Sequence, residues 1–142
     1  MELYIIKHQV INLNLEQITT ALEEENNKKS LSFDYDIQYL EEDLFVVIFK
    51  LLLEHSCEFK IDITYATYFK TSKEITIEFK ESDFPLMNAP AIGFPFLRSF
   101  IATLTINAGY EGALIPSINF VSLAEEKKAQ LQSKVKIEKN NI

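Results

Sequence analysis

The sequence predicts an α+β domain, with β-strands first and helices after them. Three observations predict it. Stretches between residues 31 and 65 alternate apolar and polar side chains with a period of two, the pattern of a strand with one packed and one wet face. Every glycine (Gly93, Gly109, Gly112) and every proline (Pro85, Pro90, Pro95, Pro116) lies between residues 85 and 116, so long uninterrupted elements precede a region of complicated turning. After Pro95 the apolar residues recur at spacings of three and four, the period of a helix face.

The first strand lies in MELYIIKHQVINLNLEQ and changes phase along its length. Tyr4, Ile6 and Val10 prefer even positions, whereas Ile11, Leu13 and Leu15 prefer odd ones. A β-bulge near Val10 accounts for the change, as does a strand with different partners at its two ends. Residues 17–29, QITTALEEENNKK, show helical spacing only at Ile18 and Leu22 and read as a solvated turn or short helix. In LSFDYDIQY, Leu31, Phe33, Tyr35, Ile37 and Tyr39 alternate with Ser32, Asp34, Asp36 and Gln38, which makes a second strand. Leu44–Leu53 is nearly all apolar and rich in Val, Ile and Phe, so it reads as a central strand. CEFKIDITYATYF alternates again, with Phe59, Ile61, Ile63 and Tyr65 set against Glu58, Lys60, Asp62 and Thr64. EITIEF repeats the pattern at Ile75, Ile77 and Phe79, as a further strand or as a long crossover loop.

Phe94–Phe120 reads FPFLRSFIATLTINAGYEGALIPSINF and holds only two charges, Arg98 and Glu111, in a chain that is 25% charged. Pro95 suits the first turn of a helix. Leu97, Phe100, Ile101, Leu104 and Ala108 then form one stripe, and Gly109 sits where a left-handed cap would end it. Phe96, Thr103, Thr105 and Ile106 lie off the stripe, so the second face is uncharged apart from Arg98. Such a helix is expected to be covered on both sides, as a core helix or as a subunit interface. Starting at Pro95 it has about 14 residues, short of the roughly 20 that span a bilayer, so no membrane insertion is expected.

The totals exclude several classes of function. With 142 residues the chain is expected to be a single domain, 1–142, with 124–142 a charged C-terminal helix or tail. A net charge of −7 disfavours nucleic acid and anionic membrane surfaces as partners. Cys57 is the only cysteine, which rules out an internal disulfide and fits a reducing, cytoplasmic location. The N-terminus lacks the pattern of a signal peptide. His8 and His55 read as surface or packing residues, and no zinc-ligand spacing or glycine-rich phosphate loop is present. His55 and Cys57 share a strand face without a third, orienting group. No metal, cofactor or enzymatic activity is therefore expected, and the EEE and EEKK runs at 23–25 and 125–128 read as solvated faces.

The order strand, turn, three strands, aromatic stretch, proline–glycine turn, FPFLRSFIATLTINAG and LIPSINFVSL resembles the SecB family of protein-export chaperones. Phe94-Pro95 with Arg98, Gly109, and Pro116-Ser117-Ile118-Asn119-Phe120 with Leu123 carry the resemblance most specifically. The likeness extends from Leu3 to about Leu123. It implies a four-stranded antiparallel sheet with a long helix and a C-terminal helix on one face, paired into a dimer of dimers with the long helices sandwiched between sheets. Leu97, Phe100, Ile101 and Leu104 would then form the oligomer interface.

The resemblance also implies ATP-independent holding of unfolded preproteins in apolar, aromatic grooves, with delivery to SecA, the ATPase motor of the Sec translocase. The candidate client-binding residues are Leu31, Phe33, Phe45, Phe59, Ile61, Tyr65, Tyr68 and Phe69. The last three are favoured because they cluster where regular alternation decays. Glu16 and Asp62 match the acids expected to contact the motor. Asn12 and Lys60 depart from that pattern, since an acid and an apolar residue are expected there. The tail AEEKKAQLQSKVKIEKNNI has five lysines and three glutamates where an acidic ending is usual. These departures suit a SecB-like chaperone dedicated to an antitoxin in a toxin–antitoxin system. A carrier of small apolar ligands and a permanently covered assembly domain are the readings from other classes.

Overall fold

The computed structural model describes residues 1–18, 30–55 and 58–140, with 134–140 as backbone alone. Of the turn or short helix expected over 17–29, all but Gln17, which ends the first strand, and Ile18 lies outside the described residues, as does the single cysteine. Strands β1 (Leu3–Gln17), β2 (Ser30–Glu41), β3 (Leu44–His55) and β4 (Phe59–Thr71) form one antiparallel sheet in the order β1-β4-β3-β2. Period-two alternation decides its inner face. Phe45, Phe49 and Leu51 of β3 lie opposite Phe69, Tyr65 and Ile63 of β4, and all six are buried. Val46 and Ala66, on the other face, are buried as well, which explains why β3 reads as a continuous apolar run.

The phase change in β1 comes from two register shifts, between Ile5 and Lys7 and between Val10 and Asn12. The second is the bulge expected near Val10; the first was not anticipated. Each shift resets the pleat, so that Ile5, His8, Val10, Leu13 and Leu15 all oppose inner-face residues of β4.

EITIEF is neither strand nor crossover loop throughout. Thr76 caps a short helix, α1 (Ile77–Glu81), by accepting from the Phe79 amide at 3.1 Å. Glu78 in its first turn and Lys80 in its last suit the helix dipole, and three alternating residues are too few to outweigh that. Phe79 is buried edge-on against Phe45.

The long helix begins earlier than expected. A single π-helical turn over Phe84–Asn88 leads directly into α2 (Ala89–Asn107), so Pro95 lies inside the helix and not in its first turn. Pro90 has no amide hydrogen for the Leu86 carbonyl; the buried Tyr35 hydroxyl donates to that oxygen instead, at 2.5 Å. Phe84–Asn107 spans 24 residues and is long and apolar enough, by length and composition alone, to cross a membrane, so the length argument drawn from a Pro95 start does not hold. Its packing is that of a core helix. Phe94, Leu97, Ile101 and Thr105 are buried, and Gly93 lets the backbone approach the sheet. A Cβ at Gly93 would stand 3.0 Å from Thr67 Oγ1 and 3.2 Å from Phe49 Cε2.

Gly109 ends α2 with φ +94°, as its position predicts. The Gly109 and Tyr110 amides donate back to the Ile106 and Thr105 carbonyls, the paired closure of a Schellman cap. The buried Thr105 hydroxyl accepts from the Ala113 amide and folds the following loop over the helix. Asn119 then caps α3 (Phe120–Asn140) through Ser122 N–H to Asn119 Oδ1, and Phe120 packs between Phe33, Tyr35 and Phe94. The charged C-terminal helix therefore starts at Phe120, before the expected boundary at 124.

Candidate functional site

Most of the apolar residues expected to contact clients belong to the core. Phe45, Phe59, Ile61 and Phe69 are completely buried, and Tyr65 nearly so. Leu31 and Phe33 are partly buried against the core, with Phe33 stacked on Phe49. The TYATYF stretch, expected to form one surface cluster, is regular β-strand. The pleat sends Tyr65 and Phe69 to the inner face and Tyr68 to the outer one, where Lys7 sits over its ring at 4.5 Å. These positions do not come together as an open groove.

The expected interface residues divide similarly. Leu97 and Ile101 have no exposed surface, because the conspicuous stripe of α2 faces its own sheet; as direct contacts to a second subunit they are corrected. Phe100 and Leu104 are partly buried. Ile92, Phe96 and Ile106, on the less conspicuous side, are 43%, 47% and 61% exposed. His8 of β1 lies beneath Phe96, with ring centroids 4.2 Å apart, and its Nδ1 is 3.0 Å from Thr67 Oγ1. Burial lowers its pKa from the usual histidine value. His55 is buried and stacked on Phe59 as a packing residue.

The open groove lies at the other edge of the sheet. β2 supplies its floor through Ile37 and Tyr39, with Leu86 of the π-helical turn behind them. One wall is α1, with Ile77, Lys80 and Glu81; the other is α3, with Lys127, Gln130 and Leu131. The half-open space is about 500 Å³, within the range of ligand pockets. Ile77 is 74% exposed and Leu131 46%, so apolar surface faces solvent from both walls. Lys80 and Lys127 lie over the rings of Tyr39 and Tyr35, each at 4.6 Å. Burial pushes the pKa of both tyrosines up to about 12, and for Tyr35 the charges of Asp34 and Glu126 add to it. The groove borders the outer edge of β2, which among the described residues pairs only with β3.

This site was largely invisible to sequence reasoning. Ile77 stood in a stretch read as a strand or a long crossover loop, and the usable signal was Thr76 as a helix cap with Glu78 and Lys80 at the appropriate ends. Ile37 and Tyr39 were recognised as inner-face residues, but their place at the sheet edge depends on topology.

Glu16 and Asp62 do share the outer face. Glu16 opposes Lys60, Asp62 opposes Asn14, and Asn14 Nδ2 donates to Glu16 Oε1 at 3.1 Å. Lys60 also opposes Glu54 of β3, so a lysine stands between two glutamates across the sheet. Among the described residues, no three His, Cys, Asp or Glu side chains gather as metal ligands.

Known proteins provide the last observations. The family model described as preprotein translocase subunit SecB matches residues 2–131. A protein-export protein SecB from Rickettsia felis is 30% identical over 117 residues, 78% of this chain and 74% of that protein. An uncharacterized protein from Methanocaldococcus jannaschii is 26% identical over 127 residues, covering 84% and 78% of the two chains. Among solved structures, the Mycobacterium tuberculosis SecB-like chaperone in complex with a ChAD peptide from the HigA1 antitoxin superposes with a TM-score of 0.63. It is 13% identical, with 82% of this chain and 88% of that one covered. A Streptococcus agalactiae protein of unknown function gives 0.51 at 15% identity, with 82% and 98% covered. These two structures show the likeness of fold.

Proposed function

The chain belongs to the SecB family of chaperones, and from that premise we propose that it holds unfolded polypeptides, without ATP, in the groove beside β2. The groove itself carries the reading: an apolar floor, and two walls that each present one exposed apolar side chain among polar ones, open beside a strand edge that is unpaired among the described residues. An unfolded client offers apolar side chains and unpaired backbone groups. The groove suits the first and the strand edge the second. Holding the unfolded state displaces the client's folding equilibrium with no bond made or broken, so the function requires no cofactor.

In this reading the protein works in the cytoplasm as a dimer of dimers. The surfaces left open on one chain suit that assembly. β1 is the second sheet edge, and Ile5, Val10 and Leu13 are exposed on its helix-bearing face. The outward side of α2 adds Ile92, Phe96 and Ile106, with Phe100 and Leu104 at the margin. Several grooves on one assembly then retain a long client by avidity. Glu16 and Asp62 are the proposed contacts to the Sec motor. The test is dilution of an unrelated denatured protein into buffer without ATP. The chaperone should suppress light scattering at near-stoichiometric amounts, and unaltered aggregation refutes the reading.

A second reading, a chaperone dedicated to an antitoxin, is favoured by Lys60. Its charge lies between Glu16 and Glu54 and offsets the acidic surface that a basic motor segment would need. Measured binding to the purified motor separates the two. An interaction lost on Glu16→Lys with Asp62→Lys supports export, and no interaction with the unmodified chain supports the dedicated role.

A further inference from the structure

We propose that Lys127 is a positioning residue that fixes the width of the groove by tying its α3 wall to its β2 floor. The inference rests on the groove being the client site. One ammonium makes three contacts with the floor strand. It is 3.1 Å from Asp34 Oδ1, 3.7 Å from Asp36 Oδ1 and 4.6 Å from the centre of the Tyr35 ring. The lysine side chain is only 17% exposed, although the two carboxylates are 66% and 59% exposed. Lys128 adds a second tie, to Asp83 just before the π-helical turn.

The apolar anchoring of α3 ends before this point. Phe120, Leu123 and Ala124 pack on the body, whereas Ala129 and Gln130 and the residues from Leu131 to Ser133 are exposed. The turn that forms the groove wall is thus held by charge and not by core packing. Leu131 stands four residues after Lys127, on the same helix face, so the tie fixes where Leu131 projects over the floor. Exposed ion pairs are individually weak and are screened by salt. A wall held this way is stiff enough to shape a groove and easily released to admit segments of different bulk.

Two measurements on the full chain test the proposal. The first is amide exchange by mass spectrometry, with no client present. Lys127→Gln should raise exchange over residues 124–133 by about tenfold while β3 and β4 keep wild-type protection, and Lys127→Arg should restore it. The second is titration calorimetry with a short uncharged peptide of phenylalanine, leucine and serine with blocked ends. Lys127→Gln should weaken binding by about three- to tenfold. Apolar contacts are not weakened by sodium chloride. Raising its concentration should nevertheless weaken the wild type, through the wall, and weaken Lys127→Gln distinctly less, since only the Lys128–Asp83 tie is left to screen. Wild-type exchange in Lys127→Gln overturns the proposal. So does raised exchange with unchanged affinity and salt response. If the unmodified chain binds no such peptide, the client reading fails and the positioning role with it, while the exchange arm still reports the tie itself.

Discussion

Replacing Ile77 and Leu131 together with serine removes the most exposed apolar side chains from the two walls of the groove. Complete burial of an isoleucine or leucine side chain is worth about 1.5–3 kcal/mol. Ile77 is 74% exposed and Leu131 46%, so a client that covers them gains about 1–2 kcal/mol from the first and about 0.7–1.4 kcal/mol from the second. Their loss should cost about 2–3 kcal/mol for each groove, or roughly 30- to 150-fold in affinity. About a quarter of Ile77 and half of Leu131 are already covered in the folded chain, so stability should fall by only about 1–2 kcal/mol.

The assay pairs peptide titration with urea unfolding of the same variant. A weakened complex in a variant that is still fully folded where binding is measured, its unfolding midpoint only modestly lowered, supports the client's place in the groove. Affinity within about twofold of wild type in a correctly folded variant would falsify the groove assignment. Replacing Tyr65 and Phe69 supplies the contrast. Both are buried in the core, so serine there should cost several kcal/mol of stability, about 3–5 for the phenylalanine judged by its truncation to alanine, and any lost holding would follow from unfolding.

The close approach of α2 to the sheet predicts that Gly93→Val lowers stability by about 1–3 kcal/mol in urea unfolding, since even a Cβ meets Thr67 and Phe49 at 3.0–3.2 Å; a variant as stable as wild type contradicts that packing. Phe96→Asp with Ile106→Asp should reduce the mass in solution to that of a smaller species by light scattering, and a wild-type chain that is already monomeric at micromolar concentration removes the proposed assembly. Tyr35 and Tyr39 hold their protons up to about pH 12 when folded, against 10 for the ordinary group. The unfolded chain loses those protons first, so stability should decline as pH rises from about 10 towards 12; tyrosinate absorbance that rises fully at pH 10 in the folded chain would contradict the burial of these rings.

Sequence periodicity revealed the four strands well, because each strand's alternation reflects a real difference between its faces. It even located the bulge near Val10, one of two causes offered for the slipped phase; β1 pairs with β4 from Leu3 to Gln17, so the other, a change of partner, does not apply. It failed where local pattern and topology compete. The richest apolar stripe on α2 marks contact with its own sheet, so Leu97 and Ile101 drew attention away from Phe96 and Ile106. TYATYF seemed irregular because Ala66 and Tyr68 interrupt the polar positions, yet both lie in a regular outer-face row opposite Gln9 and Lys7. The groove unites residues from β2, α1 and α3 that are up to about 95 positions apart, from Asp36 to Leu131. No local pattern records such a meeting. The segment Pro116–Phe120 was identified by resemblance, and the structure supplies its reason: Asn119 caps α3 and Phe120 plugs the junction between α2, α3 and the sheet.

The two edges of the sheet differ in ways that suit two kinds of partner. An unpaired edge invites another strand wherever it occurs. β1 is 15 residues long and is flanked on the helix-bearing side by exposed Ile5, Val10 and Leu13, continuous in chemistry with the outward side of α2. A broad apolar surface of this kind suits a partner that stays, because its exposure would otherwise favour aggregation. Its two register shifts also limit which strands can pair along its whole length. The edge at β2 carries Asp34 and Asp36, and its groove is small, half-open and bounded by a helix held through lysines. Charge there discourages permanent strand pairing while the apolar floor still rewards brief occupation. On the proposed reading, one sheet thereby separates assembly from client exchange. The net charge of −7 favours solubility while both surfaces are uncovered.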